Sequence, residues 1–210
     1  MKLAVISPEG YEPREHAVLA ALFAAGLERY HVRKPQWTEH VLRNFVRLVP
    51  EKWRARLVLH QYHALAEEFG CGGVHFKDSE GKVRPPGVPR FSDGHAAQPW
   101  VSRSCHTLAT LSSAVGCFDS VFFSPVFPSI SKPGYEPATA VNEVADFLAG
   151  RTDSQRQTTV FALGGVTPGN AARCADLGFD GVAVLGALWQ ASEPLKVFEQ
   201  LQHALSAHAA

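Results

Sequence analysis

The sequence predicts a single (β/α)8 barrel, the TIM-barrel fold, formed by residues 1–210 as one domain. Short apolar runs alternate with helix-period segments from one end of the chain to the other. Strict alternation of strands and helices indicates a parallel sheet with right-handed crossovers. Eight such units fit the 210-residue length of the chain. A doubly wound open sheet is the alternative, but eight regularly spaced units favour closure into a barrel.

The eight predicted strands are, in order, KLAVIS, LERYHVRK, ARLVLH, GGVHFK, WVSRSC, SVFFSPVF, TTVFALGG and GVAVLG. Seven of them precede a helical pattern; these patterns are REHAVLAALFAAG, TEHVLRNFVRLV, HALAEEFG, TLATLSSAVG, AVNEVADFLAG, TPGNAARCADLG and PLKVFEQLQHALSA. The fourth strand is followed instead by a polar, proline-rich stretch, residues 77–99, in which no helix is predicted. In such barrels the chemistry lies where strands end, so the strand ends are the places to examine.

Composition excludes several classes of protein. Lys+Arg and Asp+Glu both number 20, which argues against nucleic acid or an anionic membrane as the main partner. No apolar run reaches the ~20 residues of a membrane span, and Pro8 and Glu9 end the first run too early for a secretory signal. The four cysteines lack the spacing of a zinc or redox motif, which predicts reduced thiols in a cytoplasmic protein. The oligomeric state stays open, a homo-oligomer included.

Glycines at the ends of strands seven and eight predict a phosphate site. Gly164 and Gly165 end strand seven, and Gly186 ends strand eight. Glycine lets an anion approach the backbone N–H groups closely, and the loops after strands seven and eight commonly hold a phosphate in these barrels. Thr167 and Pro168 suit the start of the following helix. The alternative is that the glycines only make tight turns.

The long loop after strand six offers further ligand-binding groups. Ser129, Ser131 and Lys132 provide donors on a loop stiffened by several prolines. A lysine on such a loop beside a phosphate site is a candidate clamp. An exposed loop lysine without a ligand is the alternative interpretation.

Four histidines, His31, His60, His75 and His106, fall at or near the ends of strands two to five. His31 and Arg33 share parity, so both face the same side of strand two. A zinc site needs three or four ligands; no carboxylate accompanies these histidines at ligand spacing, and neighbouring barrel strands often hold such residues too far apart. No metal site is therefore predicted. His106 is the best acid–base candidate because imidazole titrates near neutral pH.

The ordered set of motifs resembles the thiamine phosphate synthase and thiazole tautomerase (TenI-like) family. The matching motifs are YHVRK, GGVHF, SCH, SPVFPSISK, FALGGVTPGN and GVAVLGAL, at strands two, four, five, six, seven and eight. They extend over essentially the whole chain, and those of strands six and seven are specific. The resemblance implies a barrel enzyme of thiamin biosynthesis that binds a small phosphorylated thiazole.

The same resemblance assigns roles to individual residues. It implies that Ser104 belongs to the substrate site and that His106 is the proton-transfer residue of the tautomerase branch. It also implies that Arg33 and Lys34 bind a pyrophosphate. It implies that the thiazole phosphate is held by Gly164, Gly165 and Gly186, and that the covering loop contains Ser129, Ser131 and Lys132.

Departures from the family pattern bear on the activity. Synthases carry an Asn-Asp pair after strand three whose aspartate helps to hold Mg²⁺, whereas this chain reads HQYH there. Asp78 or Glu80 is the candidate for the second acidic ligand, and Pro35 interrupts the charged motif of strand two. Magnesium needs hard oxygen ligands, for which imidazole is a poor substitute.

These departures favour a metal-independent thiazole phosphate tautomerase that needs no cofactor. His106 would be its acid or base, with His31 or His60 assisting. A synthase that uses Mg²⁺ to join a pyrimidine pyrophosphate to the thiazole phosphate is the first alternative. The second alternative is a non-catalytic protein that binds thiamine phosphate. The third is another phosphosugar barrel enzyme.

Overall fold

The eight strands close into one parallel barrel in the order β1-β2-β3-β4-β5-β6-β7-β8. The structure is a computed structural model that describes residues 1–79, 99–128, 134, 137 and 139–206. The fold confirms the (β/α)8 prediction. The strands are β1 (Lys2–Ile6), β2 (Arg29–Val32), β3 (Leu57–Leu59), β4 (Gly73–Phe76), β5 (Trp100–Cys105), β6 (Ser120–Phe123), β7 (Thr159–Leu163) and β8 (Gly181–Val184).

Helices follow the strands and cover the outside of the barrel. The helices of the described residues are α1 (Glu15–Ala24), α2 (Glu39–Leu48), α3 (Glu51–Arg54), α4 (Ala64–Glu68), α5 (Leu108–Ala114), α6 (Val141–Ala149), α7 (Asp153–Arg156), α8 (Ala171–Asp176), α9 (Gly186–Trp189) and α10 (Pro194–Ser206). Each of the seven helical patterns of the sequence contains one of these helices. None of the helices in the described ranges combines the length and the apolar character that a membrane span requires.

The differences from the expected helices have local causes. The helices α3, α7 and α9 are single turns that are too short to leave a periodic pattern. Helix α8 begins at Ala171 and not near Thr167, because the Asn170 side chain accepts a 2.8 Å hydrogen bond from the Thr167 N–H and closes a turn first. Helix α5 does begin at a capping threonine, Thr107, which accepts from the Thr110 N–H.

Side chains that alternate along each strand separate two cores. One alternating set packs between the strands and the helices and forms the large core. The other set points into the barrel, where Ile6, Phe122 and Phe161 belong to a small apolar cluster. The interior near β2 to β5 is polar instead, since His31, His75 and Ser102 are buried there. The barrel interior therefore has an apolar half and a polar half.

Gly72, just before β4, packs so closely against the segment before β3 that there is no room for a side chain. A Cβ atom there would lie 1.9 Å from the Ala55 carbonyl oxygen, whereas one at Gly10 would have nothing within 4 Å. We expect Gly72→Ala to lower the free energy of unfolding by about 3 kcal/mol because the backbone must shift. Gly10→Ala is the matched control and should change it by less than about 0.5 kcal/mol. Urea denaturation measures both; equal stability of the two variants would contradict this packing.

Candidate active site

Three buried histidines meet inside the barrel near the carboxyl ends of its strands. His31 lies on β2, His60 directly follows β3, and His75 lies on β4. One nitrogen of each ring lies within 4.8 Å of one nitrogen of both others. His31 Nδ1 and His60 Nε2 are 3.1 Å apart, and the His60 and His75 rings stack with their centroids separated by 4.0 Å. We call these three residues the histidine cluster.

Hydrogen bonds define which nitrogen of His75 carries the proton. The Ser102 hydroxyl lies 3.3 Å from the Val74 carbonyl oxygen, to which it donates. Ser102 Oγ therefore accepts from His75 Nδ1–H, at 2.8 Å. The lone pair of His75 Nε2 then accepts from the Ser104 hydroxyl, at 2.9 Å. Ser104 thus uses its proton on His75 and offers its oxygen lone pairs as acceptors.

The histidine cluster is electrically neutral. Burial lowers the pKa of His75 to about 3. Burial, and then the neighbouring His75, also lower the pKa of both His31 and His60 well below the usual value. A charged imidazole is costly in this interior because it loses its hydration. The polar half of the barrel therefore presents neutral hydrogen-bonding groups and not positive charge.

His106 differs from the histidine cluster in its exposure and its partner. It directly follows β5 and its side chain is exposed. Its Nδ1 lies 2.8 Å from the Ser124 carbonyl oxygen at the end of β6. A carbonyl only accepts, so Nδ1 carries the proton and Nε2 has the lone pair in the neutral ring. His106 is therefore oriented as a base whose active nitrogen is Nε2.

The two basic residues that directly follow β2, Arg33 and Lys34, face opposite sides of the barrel wall. Arg33 shares the inward parity of His31, and its guanidinium contacts the Glu9 carboxylate. Lys34 points outward: it is fully buried, and its Nζ donates to Glu15 Oε2 on α1 and to the Gly10 carbonyl oxygen. This ion pair with Glu15 gives Lys34 a structural role. The placement speaks against the expected pyrophosphate pair, because only Arg33 is directed toward the mouth.

The described donors at this mouth that converge are imidazoles and not the oxygen ligands that magnesium prefers. Within the described ranges, the side chains that converge closely enough to hold a metal are the imidazoles of the histidine cluster. Asp78, a candidate acidic ligand, instead accepts at Oδ1 from Arg103 Nη2, at 2.9 Å. Glu80 lies outside the described residues. Mg²⁺ prefers carboxylate, carbonyl and water oxygens, which the three imidazoles do not supply, and the absence of a magnesium site stays a prediction.

The glycines after β7 have a clear packing role. A Cβ at Gly164 would lie 2.8 Å from Pro125 Cα, and one at Gly165 would lie 2.4 Å from the Pro128 carbonyl oxygen. Both also have a positive φ, 92° and 66°. The turn interpretation therefore has direct support, while phosphate binding by Gly164, Gly165 and Gly186 stays a prediction. Gly186 opens α9 beside them, since β7 and β8 are neighbours. Ser129, Ser131 and Lys132 lie outside the described residues.

Comparison with known proteins decides the family. The sequence profile described as thiamine monophosphate synthase matches residues 3–188. The chain belongs to the thiamine monophosphate synthase family. This confirms the resemblance drawn from the motifs. The family consists of enzymes of thiamin biosynthesis that act on small phosphorylated substrates.

Curated relatives and solved structures agree with this family. The thiamine-phosphate synthase of Chromobacterium violaceum is 29% identical over 198 residues, 91% of this chain and 89% of the relative. A thiamine phosphate pyrophosphorylase from Bacteroides thetaiotaomicron has a TM-score of 0.74 and 29% identity, with 98% of each chain covered. The Pyrococcus furiosus pyrophosphorylase, at 18% identity and a TM-score of 0.78, covers 100% of this chain and 97% of its own, and supports the fold.

Sequence reasoning about the family site missed two residues that orient its histidines. Ser102 fixes the tautomer of His75, and the Ser124 carbonyl orients His106. Ser102 lies two residues before Ser104 on the same strand, so both point to one side, and this spacing was a usable signal for Ser102. No side-chain pattern signals the second, because the contact is made by a main-chain oxygen.

The neutral histidines make the stability of the fold dependent on pH. His75 is neutral in the folded protein, but it binds a proton below its usual pKa of 6.5 when unfolded. Stability is therefore complete above about pH 6.5 and is lost as the pH falls toward about 3. We expect a loss on the order of 2 kcal/mol between pH 7.5 and pH 5 from His75, measured by urea denaturation with a chelator present.

His75→Asn is the matched variant for this measurement. Asparagine keeps one donor and one acceptor but does not titrate, so the dependence of its stability on pH should be weaker than in the wild type. A wild type and a His75→Asn variant with the same pH dependence would contradict the neutral state of His75.

Proposed function

We propose that this chain is a thiazole phosphate tautomerase of the thiamine monophosphate synthase family. The reaction removes a proton from one position of a non-aromatic thiazole phosphate and returns a proton at another, which aromatises the ring without redox change. The observation that carries the proposal is the arrangement of His106. It is an exposed imidazole at a strand end whose Nδ1–H is held by the Ser124 carbonyl, leaving Nε2 to exchange the proton.

The neutral character of the opposite side of the mouth supports the same function. A synthase has to bind a pyrimidine pyrophosphate, which carries several negative charges, and Mg²⁺ to stabilise its departure. In this chain Arg33 is paired with Glu9, Lys34 with Glu15, and the imidazoles beside them are neutral. A proton shift within the thiazole ring needs neither a pyrophosphate site nor Mg²⁺ at this surface.

Each group in the proposed site has a separate task. The loops after β7 and β8 would hold the phosphate and orient the ring against His106. Ser104, whose proton is used on His75, would accept a hydrogen bond from the substrate. His31 and His60 have strongly lowered pKa values through burial, which suits them to a neutral hydrogen-bonding role and not to donating a proton near pH 7.

The synthase is the second candidate function, because a curated relative at 29% identity carries that name. It predicts formation of thiamine phosphate that depends strictly on Mg²⁺. A protein that binds thiamine phosphate without turning over either substrate is the third candidate. Turnover of the non-aromatic thiazole separates the tautomerase from both.

Replacing His106 tests the proposed role. His106→Asn keeps a donor for the Ser124 carbonyl but removes the basic nitrogen, so kcat for aromatisation should fall by at least about 100-fold. KM should change little, because the phosphate contacts remain. Absorbance of the aromatic product measures both constants without added metal.

His40→Asn is the control for loss of a histidine as such. His40 lies exposed on α2, where its Nε2 contacts Asn44, and its replacement should leave both constants unchanged. Circular dichroism checks that both variants are folded. Unchanged kcat in folded His106→Asn would exclude His106 as the proton-transfer residue.

A further inference from the structure

The histidine cluster brings together ligand atoms that the expected chemistry at His106 does not use. The expectation of no metal site rested on the lack of a carboxylate at ligand spacing and on histidines from neighbouring strands being too far apart. Strand register removes that separation: His60 follows Leu59, which pairs with Val74, so His60 stands beside His75. One nitrogen from each of the three rings accordingly lies within 4.8 Å of the other two.

Two of these nitrogens lie close to the spacing of ligands on one ion even before any ring turns. His31 Nδ1 and His60 Nε2 are 3.1 Å apart. Tetrahedral zinc with Zn–N bonds of about 2.0–2.1 Å holds its ligand nitrogens about 3.3 Å from one another. Between the two rings there is now one shared proton, since one nitrogen must donate to the other. When a cation binds, the donating ring changes tautomer and its proton moves to its other nitrogen, so that both rings stay neutral and present a lone pair to the ion.

His75 provides the third ligand atom in a prepared state. Its Nδ1–H is held by Ser102 and its Nε2 lone pair by the Ser104 hydroxyl. Metal-binding histidines commonly have this feature, a hydrogen bond on one nitrogen that orients the other toward the ion. In the metal-free protein Ser104 occupies the position that a metal ion would take on Nε2.

One ring must turn for all three nitrogens to face one point. The His60 and His75 rings are stacked at an interplanar angle of 18°, and an ion cannot lie in both planes at once. His60 is the ring placed to turn, because it lies beyond the end of β3 and is the most exposed of the three, at 8%. His75 is fixed by its two serines. Rotation of His60 exchanges ring stacking for a metal bond.

We propose that His31, His60 and His75 bind one divalent transition-metal ion, with Ser104 competing for His75 Nε2 in the metal-free protein. An all-imidazole set favours zinc and the later transition metals over Mg²⁺. Three protein ligands leave a fourth position for water or a substrate atom. The proton shift at His106 does not use these nitrogens, so binding of the ion can be measured apart from the proposed tautomerase reaction.

Metal titration of the full chain tests this site by binding alone. Chelator-treated protein is titrated with Zn²⁺ by calorimetry and with Co²⁺ by visible absorption, at about pH 7.5, where imidazole is neutral. The wild type should bind one ion per chain, and Co²⁺ should give the intense bands of a tetrahedral site. His31→Asn and His60→Asn should each weaken binding by more than about 100-fold, since each removes a ligand.

Two further variants distinguish this site from adventitious binding. Ser104→Ala removes the competing hydroxyl and leaves the three ligands, so its affinity should equal or exceed that of the wild type. His40→Asn removes an exposed histidine and should leave the affinity unchanged. Absence of saturable binding by the wild type, or equal binding by folded His31→Asn and His60→Asn, would overturn the proposal.

A measurement on the wild type covers the case in which the buried variants do not fold. Imidazole ¹⁵N resonances are recorded before and after one equivalent of Zn²⁺. The proposal requires the resonances of the three buried histidines, His31, His60 and His75, to shift together. Shifts confined to the exposed histidines would overturn it.

Discussion

Alternation of side chains along closed, parallel strands determines what this barrel can do. On β2 and in the two residues after it, this alternation directs His31 and Arg33 inward and Lys34 outward. On β5 it directs Ser102 and Ser104 inward while Arg103 and Cys105 face the helices. Closure then brings the inward residues of neighbouring strands together. The histidine cluster and the orientation of Ser104 both follow from this constraint.

The polar half of the interior is stable because its hydrogen bonds are matched. A buried polar group without a partner costs about 1–3 kcal/mol, so each donor in this interior needs an acceptor. One chain of hydrogen bonds runs from Ser104 to His75, from His75 to Ser102, and from Ser102 to the Val74 carbonyl. The same chain fixes the tautomer of His75 and keeps it neutral. Its last member, Ser104, reaches the site where a ligand would bind.

Charge is neutralised around strand two before any ligand arrives. Glu15 receives both Lys34 and the Tyr30 hydroxyl at the interface of α1 and β2, with all three side chains buried. Such a pair fixes the position of the helix on the sheet, and removing one partner would leave a buried charge. Arg33 and Glu9 form a second ion pair, which is partly exposed. The two cations that follow β2 are thus each paired with a carboxylate.

The sequence predicted the barrel, its eight strands and seven of its helices because period-2 and period-3.6 patterns are local. It also predicted that His31 and Arg33 share a face. It could not predict the partner of Lys34, since Glu15 lies on α1 and its proximity depends on packing. The distances within the histidine cluster depend on strand register, which no local pattern encodes. The single-turn helices were missed for lack of length.

The comparison that tests the account most directly offers the wild-type protein both chemistries in parallel. One reaction contains the non-aromatic thiazole carboxylate phosphate and no Mg²⁺; the other contains the aromatic thiazole phosphate, the pyrimidine pyrophosphate and Mg²⁺. The account predicts rapid aromatisation in the first and no thiamine phosphate above background in the second. Thiamine phosphate formation that requires Mg²⁺, with no aromatisation above background, would contradict it.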